Sequence, residues 1–131
     1  MAKVLVIEDD ERTRHLYKAA ITFQGISVIT ASNAGSGFSK IQKNNPDLII
    51  LDIMLPTAEG LHLIKKLKDY GFKHTLPVII LSDLKDESIR KEASILGACE
   101  YLVKSESSIG DIITKVRKVL GIDIGKGGVS K

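Results

Sequence analysis

The sequence predicts a doubly wound α/β fold with a five-stranded parallel sheet, and two observations carry this prediction. First, short runs rich in Val and Ile recur at residues 4–7, 26–29, 48–51, 78–81 and 101–103. Most of these runs are continuous rather than alternating, which is typical of parallel strands covered by helices on both faces. Second, the segments between the runs carry the apolar spacing of helices. The chain therefore predicts five consecutive strand–helix units.

The first two helices are predicted from spacing and from their glycines. In the first helix, Gly25 follows the last apolar residue, where a helix end favours a left-handed residue. The apolar face of that helix is expected to consist of Leu16, Ala19, Ala20 and Phe23. The second helix, around Phe38 and Ile41, has a lower intrinsic helix propensity because Gly35 and Gly37 lie inside it.

The other three helices show clearer patterns. The third helix has its apolar face at Leu61, Ile64 and Leu67, and the fourth has its face at Ile89, Ala93 and Leu96. In the fifth helix, Ser108 and Asp111 are spaced as a capping box, and Gly121 marks the end. Each predicted strand is thus followed by a predicted helix.

Right-handed crossovers between such units produce one doubly wound sheet, commonly with the strand order 2-1-3-4-5 of flavodoxin-like folds. We expect residues 1–121 to form this single domain, because 131 residues fall within the usual range for one domain. Residues 122–131 contain three further glycines and no helical spacing. We interpret them as a flexible tail or the remnant of a linker.

The composition favours an ordinary globular protein of the cytoplasm. Hydrophobic residues make up 44% and charged residues 27% of the chain. Its apolar runs are far shorter than the roughly 20 residues of a membrane helix, and the first residues lack the pattern of a secretion signal. The net charge of +3 is too small, without interleaved aromatic residues, to predict direct nucleic-acid binding.

Polar residues appear abruptly where the predicted strands end. Glu8 and Asp9 follow the first strand, Asp52 follows the third, Ser82 the fourth and Lys104 the fifth. In the order 2-1-3-4-5, these four strands are neighbours. Because ligands of doubly wound sheets bind at the carboxyl ends of the strands, the five side chains are expected to form one site.

Several carboxylates held together repel one another unless a cation neutralises them. Mg²⁺ suits such a site, because it prefers oxygen ligands and commonly uses one or two carboxylates together with water and phosphate oxygens. We expect Asp9 and Asp52 to be direct ligands, Glu8 to act through water, and Met54 to offer its backbone carbonyl. Asp10 is left open between a helix cap and a weak contributor.

A carboxylate is also a nucleophile that forms an aspartyl phosphate, and catalysis of this transfer consists mostly of positioning and charge neutralisation. The Lys104 ammonium and the Ser82 hydroxyl suit the oxygens of a phosphoryl group as a point charge and a hydrogen-bond donor. Taken singly, each of these residues is commonly a surface or turn residue. Their coincidence at the ends of adjacent strands favours a functional site.

The combined pattern resembles the receiver domains of bacterial response regulators, including those of the chemotaxis type, from residue 3 to about residue 120. The segments that carry the resemblance are residues 4–10 (VLVIEDD), residues 47–56 (DLIILDIMLP), Gly60, Ser82, residues 97–98, Tyr101 and Lys104. Taken together, these motifs are highly specific for that family.

The resemblance implies a role for each of these residues. Asp52 is implied as the phosphoacceptor, and Glu8 and Asp9 as the acidic pair that binds Mg²⁺. Ser82 is implied as the hydroxyl of the switch and Tyr101 as its aromatic residue. Lys104 corresponds to the lysine that the family has after the fifth strand.

Two residues depart from the family pattern. The family usually has a proline after the lysine, often with a cis peptide bond, whereas Ser105 follows Lys104 here. The residue after the switch hydroxyl is usually small, but Asp83 occupies that position. A carboxylate beside the site would obstruct phosphodonors and attacking water, or would point away from them.

The predicted function is a phosphorylation-dependent signalling switch that promotes phosphoryl transfer to, and hydrolysis from, its own Asp52 only. The alternative is a pseudo-receiver, an interaction module that is never phosphorylated. A phosphohydrolase with an aspartyl-phosphate intermediate would normally need a second Asp two residues after the nucleophile, and Met54 occupies that position. Such an enzyme is therefore disfavoured.

The resemblance also implies partners. A histidine kinase or a phosphotransfer protein would supply the phosphoryl group. A downstream effector or a second copy of the chain is expected on the surface made by the fourth helix, the fifth strand and the fifth helix. Four basic residues would favour an acidic partner there: Arg90, Lys91, Lys115 and Arg117.

Overall fold

The structure, a computed structural model, describes residues 2–53, 59–69, 76–83 and 86–122. The strands are β1 (Lys3–Ile7), β2 (Ser27–Ala31), β3 (Leu48–Leu51), β4 (Val78–Ser82) and β5 (Glu100–Val103). The helices in these ranges are α1 (Glu11–Thr22), α2 (Ala34–Asn44), α3 (Glu59–Asp69), α4 (Glu87–Ile95) and α5 (Ile109–Leu120). All strand pairs are parallel, and the sheet has the order β2-β1-β3-β4-β5. The predicted fold class and strand order are confirmed.

Two apolar clusters cover the two faces of the sheet. Alternate residues of β1 belong to different clusters, since Leu5 and Ile7 contribute to one and Val4 and Val6 to the other. Helices α2, α3 and α4 cover the first face, and α1 and α5 cover the second. This burial on both faces is the reason that the strands of the sequence lack a polar alternation. Within the described ranges, none of the helices combines the length and the apolar character that a membrane span requires.

The predicted start and end of α5 are confirmed. The Ser108 hydroxyl accepts a hydrogen bond from the Asp111 amide at 3.0 Å, and the Asp111 carboxylate accepts one from the Ser108 amide at 2.9 Å. Gly121 ends the helix with a left-handed backbone (φ 75°). The short polar side chains at the start and the glycine at the end therefore define α5 as the sequence indicates.

The predicted apolar face of α1 was wrong. The buried residues of α1 are Tyr17 and Ile21, whereas Leu16 is 52% exposed and Phe23 is 88% exposed. Residues 17 and 21 also have helical spacing, so the sequence offers two adjacent apolar faces. Arg14 lies one turn before Tyr17 on the buried face, and its guanidinium donates to the carbonyl of Glu8 at 2.9 Å. In the observed rotation, this bond forms and Tyr17 and Ile21 pack into the apolar cluster on the second face of the sheet.

One of the two glycines of α2, Gly37, has a packing role that helix propensity does not reveal. Gly37 is buried, and a Cβ atom added to it would lie 2.5 Å from Cδ1 of Ile7. A larger residue at position 37 would therefore require the buried Ile7 side chain to shift. The cost in helix propensity is offset by tight packing of α2 against the sheet.

Candidate functional site

Glu8, Asp9 and Asp52 meet at the carboxyl edge of the sheet, each offering a carboxylate oxygen within 4.8 Å of the others. The sheet positions two of them directly. The Glu8 amide donates to the carbonyl of Ala31 at 3.0 Å, and the Asp52 amide donates to the carbonyl of Ile7 at 3.0 Å. Both residues thus extend the ladder of parallel hydrogen bonds by one step beyond the strands.

Lys104 reaches the same cluster from the end of β5. Its Nζ atom lies 2.7 Å from Oε1 of Glu8 and 3.0 Å from Oδ2 of Asp52. Glu8 is 2% exposed and Asp52 is 4% exposed, whereas Asp9 is exposed. The site therefore combines two buried carboxylates, one exposed carboxylate and one ammonium.

Burial dominates the electrostatics of Glu8 and raises its pKa from 4.5 to about 7. Hydrogen bonding to Lys104 and to the Asp10 amide opposes this rise, and the charge of Asp52 adds to it. Burial also favours the neutral form of Lys104, but its interactions with Glu8 and Asp52 outweigh burial and raise the pKa of Lys104. The ammonium is therefore retained at neutral pH.

The cluster fits a hard divalent cation. Oε1 of Glu8 is buried, and the Lys104 ammonium lies 2.7 Å from it. The carboxylates of Asp9 and Asp52 complete an all-oxygen set of the kind that Mg²⁺ prefers. The predicted backbone ligand, Met54, lies outside the described residues. Glu8, Asp9 and Asp52 are thus the described residues that would hold the ion.

Asp10 caps α1 rather than joining this cluster. Its carboxylate accepts a hydrogen bond from the Thr13 amide at 2.8 Å. Hydrogen bonds from the side chain and the amide of Thr13 lower the pKa of Asp10. The cap, one of the two alternatives left open by the sequence, is therefore confirmed.

We expect Asp9→Ala to weaken Mg²⁺ binding more than Asp10→Ala does. Asp9 offers an oxygen to the cluster, whereas the Asp10 carboxylate is engaged by Thr13. Calorimetric titration should show a loss of affinity of roughly tenfold or more for Asp9→Ala. Equal affinities for the two variants would contradict the proposed ligand set.

We also expect Mg²⁺ binding to strengthen as the pH rises. Below the Glu8 pKa of about 7, a proton on this carboxylate opposes binding of the cation. The affinity should therefore increase by about five- to tenfold between roughly pH 6 and pH 8. Glu8→Gln should flatten this dependence in the same titrations. An equally steep dependence in the Gln variant would assign the proton to another group.

Ser82 and Tyr101 lie side by side on adjacent strands. Ser82 is fully buried at the end of β4, and Tyr101 of β5 is hydrogen-bonded to its side chain. Burial raises the pKa of the Tyr101 phenol, while the charge of Arg90 and the bond with Ser82 oppose that rise. The Arg90 guanidinium lies 5.0 Å from the centre of the Tyr101 ring and donates to the Tyr101 carbonyl at 3.2 Å. The aromatic residue is thus held between Ser82 and α4.

The two departures from the family pattern contact each other. Oδ1 of Asp83 accepts a hydrogen bond from the Ser105 amide at 2.7 Å. Ser105 belongs to a 3-10 turn, Lys104–Glu106, that follows β5 directly. The described residues contain no cis peptide bond. Sequence reasoning identified both departures but not the bond between them, because no motif pairs these positions.

The basic residues expected to attract an acidic partner are mostly engaged within the protein. Besides Arg90, Lys115 forms an ion pair with Glu100 at 3.4 Å, and Arg117 donates to Gln24 at 3.3 Å. A cavity of about 230 Å³ lies between α4 and β5 on this surface, lined in part by Tyr101. The shape of this surface is therefore coupled to the position of that ring.

Residues 4–117 match the response regulator receiver domain. The chain is 33% identical over 120 residues to the KDP operon transcriptional regulatory protein KdpE of Escherichia coli (strain K12), covering 92% of this chain and 52% of that protein. It is 38% identical over 104 residues to the transcriptional regulatory protein KdpE of Staphylococcus aureus (strain NCTC 8325 / PS 47), covering 79% and 43%. The chain thus spans about half the length of the curated relatives it matches.

Solved structures agree with this relationship. The receiver domain of the Francisella response regulator 1452 matches with a TM-score of 0.83 and 31% identity, over 92% of this chain and 98% of that one. A CheY-like receiver domain protein from Methanospirillum hungatei JF-1 matches with a TM-score of 0.85 and 25% identity, over 92% and 94%. The chain therefore belongs to the response regulator receiver domain family.

Proposed function

We propose that this receiver domain switches its state when Asp52 accepts a phosphoryl group from a histidine kinase or a phosphotransfer protein. Family membership supports a phosphorylation-based signalling switch. Asp52 belongs to the acidic cluster and contacts Lys104 at 3.0 Å. Glu8 shares both properties, so the choice of Asp52 as the phosphoacceptor follows the family pattern of residues 47–56. Asp52 therefore combines a nucleophile with the two positive charges that phosphoryl transfer requires.

When bound, Mg²⁺ would neutralise charge on the transferring phosphoryl group. Asp52 uses a carboxylate oxygen to form a bond to phosphorus, while the bond between phosphorus and the donor imidazole nitrogen breaks. Lys104 then exchanges part of its contact with Asp52 for a phosphoryl oxygen, as a charge-assisted hydrogen bond. Hydrolysis reverses the modification, because attack by water on phosphorus releases inorganic phosphate and restores the Asp52 carboxylate. The chain acts on no residue but its own Asp52.

The conformational change would begin at Ser82. A phosphoryl oxygen on Asp52 is a stronger acceptor than the Tyr101 phenol, so the Ser82 hydroxyl would turn towards it. Tyr101 then loses its partner, and its contacts with Arg90 rearrange with it. The switch is a shift of population between two packings of α4, β5 and α5. A downstream effector or a second copy of the chain would recognise this surface.

The direct test is to incubate the protein with acetyl phosphate and Mg²⁺ and to measure its intact mass. A gain of one phosphoryl group, absent when Mg²⁺ is chelated, is the expected result. An unchanged mass would instead favour a pseudo-receiver, which binds partners without being phosphorylated.

We expect beryllofluoride, which mimics a phosphoryl group, to shift amide signals well beyond the Asp52 pocket. The affected residues should include Tyr101, which is bonded to Ser82, and Arg90, whose guanidinium lies over the Tyr101 ring. Heteronuclear NMR spectra with and without beryllofluoride measure this. Shifts confined to the neighbours of Asp52, with α4 and α5 unchanged, would defeat the proposed route of the switch.

A further inference from the structure

The bond between Asp83 and Ser105 extends the pairing of β4 and β5. In the parallel register, Ser82 is opposite Val103, the last residue of β5. Asp83 is the first residue after Ser82, and Ser105 is the second residue after Val103. Their 2.7 Å hydrogen bond joins the connection after β4 to the connection after β5. We call this hydrogen bond the Asp83–Ser105 link.

Lys104 lies between two residues that are held from the β4 side of the sheet, by the end of β4 and by Asp83 after it. On one side Val103 is paired within the sheet, and on the other Ser105 is bound by Asp83. The turn is closed further by Ser107, whose amide donates to the Lys104 carbonyl at 3.3 Å and whose hydroxyl donates to the Val103 carbonyl at 2.8 Å. The backbone that directs the Lys104 side chain is therefore fixed from both ends.

Proline at position 105 is incompatible with this arrangement. It has no amide hydrogen to donate to Asp83, and it disfavours a helical backbone at the preceding residue, which here is Lys104 in a 3-10 turn. The two departures from the family pattern thus depend on each other. A carboxylate at position 83 supplies the acceptor, and a residue other than proline at position 105 supplies the donor.

We propose that Asp83 is a positioning residue, and that the Asp83–Ser105 link holds the turn that directs the Lys104 ammonium to Glu8 and Asp52. The kinetic part of this proposal rests on the proposed function. The alternative is that Asp83 affects phosphoryl uptake only through its exposed negative charge, which would repel phosphodonors. Removal of the side chain slows phosphoryl uptake if Asp83 positions Lys104, and speeds uptake if its charge only repels.

Three variants separate these explanations. Asp83→Asn keeps an acceptor oxygen and removes the charge, whereas Asp83→Ala removes both. Ser105→Ala is the matched control, because it changes the other residue of the pair and keeps the backbone amide. Each variant is measured for hydrogen exchange of the Ser105 amide, for Mg²⁺ affinity by calorimetry, and for phosphoryl uptake from acetyl phosphate.

We expect the Ser105 amide to exchange about tenfold faster in Asp83→Ala than in Asp83→Asn, because only the Ala variant loses the acceptor. Uptake should be about fivefold slower in Asp83→Ala than in Asp83→Asn. Mg²⁺ should bind about two- to threefold more tightly to Asp83→Ala than to Asp83→Asn, because a loosened ammonium competes less for the carboxylates. Ser105→Ala should match the unmodified protein. A variant that is merely less stable would take up phosphoryl groups more slowly, but it would not bind Mg²⁺ more tightly. The combination of both effects therefore distinguishes loss of positioning from general destabilisation.

Equal behaviour of Asp83→Ala and Asp83→Asn in exchange and in Mg²⁺ affinity would overturn the proposal. Faster uptake in both variants would assign the effect to charge repulsion. If the unmodified protein accepts no phosphoryl group, the proposed function fails, but the exchange and Mg²⁺ measurements still decide whether the Asp83–Ser105 link positions Lys104.

Discussion

Asp52→Asn is expected to abolish phosphoryl uptake from acetyl phosphate in the presence of Mg²⁺. The amide keeps the size of the side chain but has neither the charge that helps hold the cation nor the nucleophilic oxygen. Asp52 is nearly buried at the end of β3, so the substitution also removes one of the two carboxylates that pair with Lys104 among the described residues. Intact-mass spectrometry over time should show uptake reduced roughly 100-fold or more.

Asp47→Asn provides the matched control for this experiment. Asp47 precedes the same strand at the opposite edge of the sheet, where its carboxylate accepts a hydrogen bond from the Lys3 amide at 2.8 Å. The same chemical change at this position should leave the rate of uptake unchanged. Undiminished phosphorylation of Asp52→Asn would move the phosphoacceptor to another carboxylate, and Glu8, which also contacts Lys104, would be the first to examine.

The convergence of the site could be predicted because it depends on topology alone. Once β1, β3, β4 and β5 are recognised as neighbouring parallel strands, the residues that follow them must lie at one edge of the sheet. Glu8, Asp52 and Lys104 meet there in the structure. The continuous apolar runs locate the strands and their ends, and the usual order of a doubly wound sheet then gives their neighbours. Neither step requires knowledge of side-chain contacts.

The contacts that could not be predicted involve a choice between nearly equivalent arrangements. The rotation of α1 is one example, since residues 16 and 23 form as regular an apolar spacing as residues 17 and 21. The choice depends on the bond from Arg14 to the Glu8 carbonyl and on packing against the second apolar cluster. Gly37 is another example, because its helix propensity is visible in the sequence but its contact with Ile7 is not.

Lys104→Met is expected to lower both the rate of phosphoryl uptake and the free energy of unfolding. The loss of an ammonium aimed at the reacting group should slow uptake by roughly 100-fold. In the absence of Mg²⁺, the variant leaves the buried carboxylates of Glu8 and Asp52 without a nearby cation, which should lower the free energy of unfolding by about 2–3 kcal/mol near pH 7. The expected loss is smaller than for a fully buried ion pair because Lys104 is only partly buried. Urea denaturation measures the second effect, and Lys104→Arg, which keeps the charge, is the matched control.

The pH dependence of this loss of stability follows from Glu8. Its pKa is raised in the folded protein, so Glu8 contributes most to stability below its unfolded pKa of 4.5, and this contribution declines as the pH rises through about 7. Lys104 opposes the rise of this pKa, and its removal should therefore extend the decline in stability to higher pH. The difference in stability between Lys104→Met and the unmodified protein should therefore be smaller near pH 5 than near pH 8, and the part due to Asp52 is present at both. Saturating Mg²⁺ should reduce that difference, because the cation replaces the missing ammonium beside the carboxylates. A difference that is independent of both pH and Mg²⁺ would show that Lys104 stabilises the fold through packing of its aliphatic chain rather than through its charge.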